Sequence, residues 1–367
     1  MKLIYLILFS VLLFTTSCKE SNDEETKIEF SKKDITIKIG DTATLLLKDN
    51  SILNEFPNLT ITIKNPTSIN IIETNVKSFR FSAEEVGANT AYLRDSGVIK
   101  DSCVIHIADP NLIKILAIGN SFSEDAVEFY LYDLLKEKKQ DVVIGNAMIP
   151  GCNLATHLNN GLNNLPLYSY RKINLFGEKT VVENQTLGNI IRDEDWDFIS
   201  FQQASPESGK VETFINSLPQ FYNYIKSINQ TPKTKYLLHQ TWAYASNSTH
   251  PGFAYYNNDQ MVMYNAIINS YKVAINLIPI YKIVPSGTAI QNARTSSLGN
   301  NLTRDGYHLD YNIGRFIAAG AWYETLTGRN ILRNNYNPSG MLLESVTLSK
   351  KAVHAATVNP FQITEIK

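Results

Sequence analysis

Two periodicities divide the chain. Between residues 27 and 109, apolar side chains recur at every second position. Ile35-Thr36-Ile37-Lys38-Ile39 and Leu59-Thr60-Ile61-Thr62-Ile63 alternate, and Cys103-Val104-Ile105-His106-Ile107 is a β-branched run. Turn signals at Gly40-Asp41, Asn65-Pro66 and Gly87-Ala88-Asn89 separate them. Short alternating strands at such spacing predict a small all-β sandwich over residues 27–109.

From residue 112 the pattern changes to strand and helix in turn. Residues 112–118 read as a buried apolar strand. Residues 123–138 read as a helix, with Val127, Tyr130, Leu131, Leu134 and Leu135 on one face. Further strands are expected at 142–148, 198–201, 236–239 and 280–284. Further helices are expected at 211–228, 260–275 and 313–326, the last stopped by Gly328. Such alternation predicts an α/β domain over residues 112–330, its parallel sheet covered on both faces. Ligands in these sheets bind at the carboxyl ends of the strands. The C-terminal extension, residues 331–367, shows no clear period. It is expected to add a strand or to pack on a domain surface.

Ahead of both regions, a single positive charge at Lys2 precedes an apolar run from Leu3 to Phe14, then Thr15-Thr16-Ser17-Cys18. The run is too short to span a bilayer, which takes ~20 residues. It reads as a signal peptide over residues 1–18. The small residues before Cys18 resemble a bacterial lipoprotein cleavage box, which implies lipidation of Cys18, although Thr15 stands where such boxes usually carry leucine. An ordinary signal peptide cut near Ser17 is the alternative. Residues 19–26 are polar and acidic and read as a tether. They resemble the export signal of some surface lipoproteins, or are a solvated linker. This setting implies the bacterial cell envelope, with a lipid anchor in the outer membrane. Cys103 and Cys152 fall in different regions; they read as small buried side chains rather than a disulfide or a zinc site.

The net charge is −1. No basic field exists to hold nucleic acid through its phosphates. The chemistry is expected in two places instead. Gly119-Asn120-Ser121-Phe122-Ser123 follows the first α/β strand and opens its helix. A serine there stands at the carboxyl edge of the sheet with its N–H free at a helix start, which suits a nucleophile and part of an oxyanion hole. Ser121 and Ser123 also fit a plain helix cap. Asp305-Gly306-Tyr307-His308 stands before the last helix of the domain. A serine hydroxyl needs a base to take its proton, usually a histidine held by a carboxylate, and one loop supplies both here.

Together these motifs resemble the SGNH (GDSL-like) serine hydrolase superfamily. The resemblance implies a three-layer, flavodoxin-like fold, with Ser121 as nucleophile and Asp305 and His308 as its Asp-x-x-His block. Gly151, after the second strand, matches the glycine of the oxyanion hole. Where that superfamily has Gly-x-Asn-Asp, this chain has Phe201-Gln202-Gln203-Ala204. Gln203 is therefore expected to be the third oxyanion donor, with Gln202 as the alternative. His239-Gln240-Thr241-Trp242-Ala243-Tyr244 resembles a segment of an uncharacterised surface-lipoprotein subfamily. Gln202, His239 and Trp242 are expected to line the substrate pocket, or else to be a buried strand end. The all-β region resembles bacterial immunoglobulin-like modules.

What the resemblance implies is an ester hydrolase that removes acetyl groups from carbohydrate outside the cytoplasm, with no cofactor and no metal. A catalytically silent glycan-binding lipoprotein is the alternative, favoured by the missing Gly-x-Asn-Asp block. A lipase would want an apolar lid, which the pattern lacks. The acids Asp193, Glu194, Asp195 and Asp197 around Trp196 read as a solvated turn rather than a glycosidase pair. His157 and His250 read as loop histidines without ligand partners.

Overall fold

A computed structural model describes residues 27–75 and 77–367. The segments read as signal peptide and tether, Cys18 included, lie outside the described residues.

The first seven strands are β1 (Asp34–Lys38), β2 (Thr42–Leu46), β3 (Leu59–Ile63), β4 (Ile69–Thr74), β5 (Ser78–Ala83), β6 (Gly87–Asp95) and β7 (Val98–Ala108). They form one sheet of order β1-β7-β6-β3 and another of order β2-β5-β4. Only β1 and β7 pair in parallel. Of the alternation read from the sequence, Ile37, Leu59, Cys103, Ile105 and Ile107 face inward, buried in one cluster with Phe79, Phe81 and Leu93. Ser96 and Gly97 both take positive φ, 49° and 85°, in the two-residue loop between β6 and β7. That is the turn whose twist matches a hairpin.

The remainder is one α/β unit. Its strands are β8 (Ile113–Gly119), β9 (Val142–Met148), β10 (Tyr168–Ile173), β11 (Lys179–Gln185), β12 (Phe198–Phe201), β13 (Lys235–His239) and β14 (Lys282–Val284). Its helices are α1 (Ser121–Val127), α2 (Leu131–Glu137), α3 (Leu154–Leu162), α4 (Leu187–Ile191), α5 (Val211–Ile228), α6 (Gln260–Ala274), α7 (Ser286–Ala293), α8 (Ile313–Thr327) and α9 (Leu343–Val358). The sheet order is β11-β10-β9-β8-β12-β13-β14. Five adjacent strands, β9, β8, β12, β13 and β14, run parallel, and β10–β11 is an antiparallel hairpin added at the β9 edge. Counted from β8, the parallel order is 2-1-3-4-5, the flavodoxin-like arrangement. The chain leaves β8 toward β9 and leaves β12 toward β13, in opposite directions. Right-handed crossovers then put helices on both faces. One packed group holds α1, α2, α7, α8 and α9; the other holds α3, α4, α5 and α6. The switch point, where ligands bind in such sheets, is the gap between β8 and β12.

Several elements depart from expectation. The helix read over 123–138 is two, α1 and α2, interrupted at residues 128–130. Glu128 turns inward there and accepts from Asn146 Nδ2 at 2.6 Å. The hairpin β10–β11 and helices α3, α4 and α7 are additions. The C-terminal extension is not a separate piece. Its α9 packs on α7 and α8, and Val346, Leu348, Ala352, Val353, Ala356 and Ile366 join the α/β core. Gly320 in α8 permits this approach: a Cβ there would meet Ile331 Cδ1 at 2.7 Å and Val353 Cγ2 at 3.1 Å.

The acidic cluster around Trp196 is not a solvated turn. Glu194 is buried between two ammonium groups, 2.7 Å from Lys114 Nζ and 2.6 Å from Lys172 Nζ. Asp193 accepts from Lys172 and from the Tyr170 hydroxyl. Lys114 also donates to the Thr36 carbonyl, and Lys38 lies 3.1 Å from Asp197. The cluster therefore joins β1 to the amino ends of β8 and β12. Burial pushes the Glu194 carboxyl up, but Lys114 and Lys172 outweigh it and hold it at about 2.

Candidate active site

Strand β8 ends at Gly119, where a side chain has no room. A Cβ would meet Ser123 Oγ at 2.8 Å and Gln202 Oε1 at 3.1 Å. Asn120 follows in extended conformation as the cap of α1, its Oδ1 accepting from the Phe122 N–H at 2.9 Å. Cap duty thus falls to Asn120. Ser123 Oγ donates to Asn146 Oδ1 at 2.8 Å. Ser121 is left free for another partner.

That partner is His308. Ser121 Oγ lies 2.8 Å from His308 Nε2, and His308 Nδ1 lies 2.6 Å from Asp305 Oδ2. Asp305 Oδ1 also accepts from the backbone N–H of His308 at 2.7 Å and of Tyr307 at 3.1 Å. Gly306, at φ 90°, makes the tight turn between them. Burial pushes the Asp305 carboxyl up, but bonds from the His308 ring and from both N–H groups outweigh it and hold it below its ordinary value. An ionised Asp305 keeps the His308 proton on Nδ1, so Nε2 receives the serine hydroxyl.

Gly151 stands on the neighbouring loop after β9 with φ 65° and open space around it. Among the described residues, neither its N–H nor that of Ser121 has an acceptor. The two loops are tied together, since Asn120 Nδ2 donates to the Cys152 carbonyl at 3.0 Å. Cys152 and Cys103 are both unpaired and buried.

The glutamine pair departs from expectation by one position. Gln203 is used elsewhere: its Nε2 donates to Thr213 Oγ1 at 2.9 Å, and its Oε1 accepts from the N–H groups of Leu154 and Ala204. It secures the start of α3. Gln202 is the residue turned toward the loop that carries Ser121, its Nε2 donating to Asn120 Oδ1 at 2.8 Å. Its Oε1 meets His239 Nδ1 at 2.9 Å, and His239 Nε2 meets Ser286 Oγ at 3.1 Å. Burial holds the His239 ring neutral, down to about 3. The Phe122 N–H fixes Asn120 Oδ1 as an acceptor, and each later bond then has one direction. Ser286 donates to His239, His239 to Gln202, Gln202 to Asn120, and Asn120 to Cys152. Gln202→Ala is expected to lower turnover by about 10²-fold, because a loosened nucleophile loop misplaces Ser121. Gln203→Ala is expected to cost about 1–3 kcal/mol of stability, by leaving two buried N–H groups without an acceptor, and to spare turnover. Denaturant unfolding and ester kinetics on both variants separate the two roles.

Of the expected pocket residues, Gln202, His239 and Trp242 are all buried and offer no surface to a substrate. Trp242 supports the site from behind. It stacks on Phe122 at 4.1 Å and 3°, and its Nε1 donates to the Tyr307 carbonyl at 2.7 Å. The Ala245 N–H donates to the Gly306 carbonyl at 2.8 Å. The segment after β13 is thus the seat of the Asp305–His308 loop. His250 packs edge-on against Tyr307 at 4.8 Å. His157 is buried against the Tyr168 hydroxyl. Among the described residues, no group of three or more His, Cys, Asp or Glu is placed to hold a metal ion.

A family model described as "Domain of unknown function (DUF4886)" matches residues 114–356. The chain belongs to this family. The match takes in Ser121, Gly151, Asp305, His308 and most of α9, so the DUF4886 domain includes the C-terminal helix and excludes the N-terminal sheets. The crystal structure of a DUF4886 family protein from Bacteroides uniformis ATCC 8492 is 48% identical, with TM-score 0.68, and the match covers 69% of this chain and 98% of that one. More distant solved structures include a carbohydrate acetylesterase from Xanthomonas citri, at 9% identity, TM-score 0.43 and coverage of 80% and 74%. An acetylxylan esterase from Geobacillus stearothermophilus matches at 13% identity, TM-score 0.40 and coverage of 59% and 94%. These two likenesses are too slight to bear on the activity of the DUF4886 domain. A search of curated proteins finds no match.

Proposed function

We propose that the chain is a serine ester hydrolase whose substrate is an acyl ester on carbohydrate, acetyl first. The observation that carries this reading is the continuous contact from Ser121 Oγ through His308 to Asp305, 2.8 Å and 2.6 Å long. A proton crosses at such distances. The Asp305 side chain is 37% exposed and that of His308 20%. A base loop open to solvent suits an ester carried on a large polar molecule better than a buried lipid chain. The same proposal places the enzyme at the bacterial cell envelope, held by lipid on Cys18, with the N-terminal sheets as an immunoglobulin-like module.

In the reaction, Ser121 gives its proton to His308 Nε2 as Oγ bonds to the acyl carbon. The carbonyl oxygen becomes an anion received by the N–H groups of Ser121 and Gly151. His308 passes its proton to the departing sugar oxygen, and that C–O bond breaks. Water then attacks the acyl-serine, His308 takes a proton from it, and collapse releases the acid and restores the Ser121 hydroxyl. Asp305 stays ionised and holds the imidazolium.

The test is turnover of an aryl acetate and of acetylated oligosaccharides, with a fluorophosphonate to label the nucleophile. Hydrolysis together with one label on Ser121 is the expected result. No turnover and no labelling would leave the glycan-binding reading in its place.

A further inference from the structure

A buried carboxylate lies between the two halves of this site. Asp125 stands one turn after Ser121 on α1 and is 1% exposed. Residues four apart share a helix face, so it lies below the nucleophile on the same side. Its Oδ2 accepts from the Leu309 N–H at 2.9 Å. Arg304 Nη1 is 3.0 Å from both carboxylate oxygens. Arg304 immediately precedes Asp305, and Leu309 immediately follows His308. Both ends of the base loop are therefore tied to one side chain on the nucleophile helix. Arg304 also closes the loop on itself, its backbone N–H donating to the His308 carbonyl at 2.9 Å and its Nη1 to the Leu309 carbonyl. From α8, Arg315 reaches Asp125 Oδ1 with Nε and Nη2, each at 2.8 Å.

We infer that Asp125 is the positioning residue that sets the distance between Ser121 and His308. The inference rests on the esterase reading but concerns a residue that takes no part in the chemistry itself. Ser121 and His308 are 187 residues apart and come from different loops. Asp125 touches Arg304, Leu309 and Arg315, and through α1 it is rigidly connected to Ser121. A charge-assisted fork of this kind fixes direction as well as separation.

The test compares Asp125→Asn with the wild type on an aryl acetate. The amide keeps the shape of the carboxylate but turns one acceptor into a donor facing N–H groups, so the loop must shift. A misplacement of ~1 Å costs about 10²-fold in rate. The expected result is that loss in kcat, with KM changed by less than about twofold. Arg304→Lys, which keeps the charge but not the rigid planar group that places Nη1 against Asp125 and the Leu309 carbonyl, should lower kcat in the same sense and serves where Asp125→Asn does not fold. Glu194→Gln removes a buried ion partner at the opposite strand ends and is the matched control; its kcat should stay within about twofold of wild type. A crystal structure of Asp125→Asn gives a readout independent of turnover: Ser121 Oγ and His308 Nε2 should lie beyond hydrogen-bond distance. A folded Asp125→Asn with wild-type kcat, a retained serine–histidine contact, or an equal loss in the control would overturn the inference. A wild type with no turnover would remove the esterase reading alone, and the crystallographic distance would still decide the role of Asp125.

Discussion

Ser121→Ala is expected to lower kcat on an aryl acetate by about 10⁴-fold or more, because the proposed covalent route runs through the Ser121 hydroxyl. KM should change little, since the hydroxyl contributes to the transition state rather than to substrate binding. Among the described residues, the Ser121 side chain makes its hydrogen bond to His308 and does not cap α1, a task that Asn120 performs. The variant should therefore keep its melting temperature within about 1 °C, as a surface change away from caps and core does. A steady-state assay and a thermal scan check both halves. A variant that retained a tenth or more of the wild-type rate would show that water or another residue attacks the ester.

Glu194→Gln is expected to destabilise the protein by about 3–5 kcal/mol, because it leaves the Lys114 and Lys172 ammonium groups buried without a counter-charge. That corresponds to a drop of roughly 10 °C in Tm for a domain of this size. The acid response gives the sign. Glu194 is held at about 2, below the 4.5 of an ordinary glutamate. A depressed carboxyl contributes its stability in full above its unfolded value and loses it as pH falls. Wild-type stability should decline between about pH 4.5 and pH 2, and Glu194→Gln should decline less over the same window. Urea unfolding at a series of pH values measures this. Parallel curves for the two proteins would mean that Glu194 is not the group concerned. The network lies at the amino ends of β8 and β12, while Ser121 follows the carboxyl end of β8, roughly 20 Å away along a seven-residue strand. Stability and turnover should therefore separate cleanly.

The parts of the site that could be read from sequence were those whose residues are close along the chain. Ser121 sits at a strand-to-helix junction, and Asp305 and His308 share one tight loop, so local pattern located them. The choice between Gln202 and Gln203 was not available in the same way. Alternation tells in from out only when one face meets water, and all four residues of β12 are buried. The acids around Trp196 read as solvated because their partners stand far off, with Lys114 80 residues from Glu194. A charge run carries no sign of a counter-charge that arrives from another strand. Helix α7 escaped for the opposite reason: all eight of its residues are buried, so it has no amphipathic period. The Asp125 clamp was not legible: Asp125 lies one helical turn from Ser121, but Arg304, Leu309 and Arg315 join it only in three dimensions.

The chain of bonds from Ser286 to the Cys152 carbonyl runs one way, and this limits how the nucleophile loop can be rebuilt. His239, Gln202 and Asn120 are each a donor on one side and an acceptor on the other. Exchange of one member for a side chain of opposite hydrogen-bonding sense reverses a link rather than weakening it. Gln202→Glu would set a carboxylate against Asn120 Oδ1. Asn120 would have to turn its amide over, surrendering both the Phe122 cap and the tie to Cys152. Transplanting this loop onto another parallel sheet would therefore mean moving Asn120, Gln202, His239 and Ser286 as a unit, with the polarity of the whole wire intact.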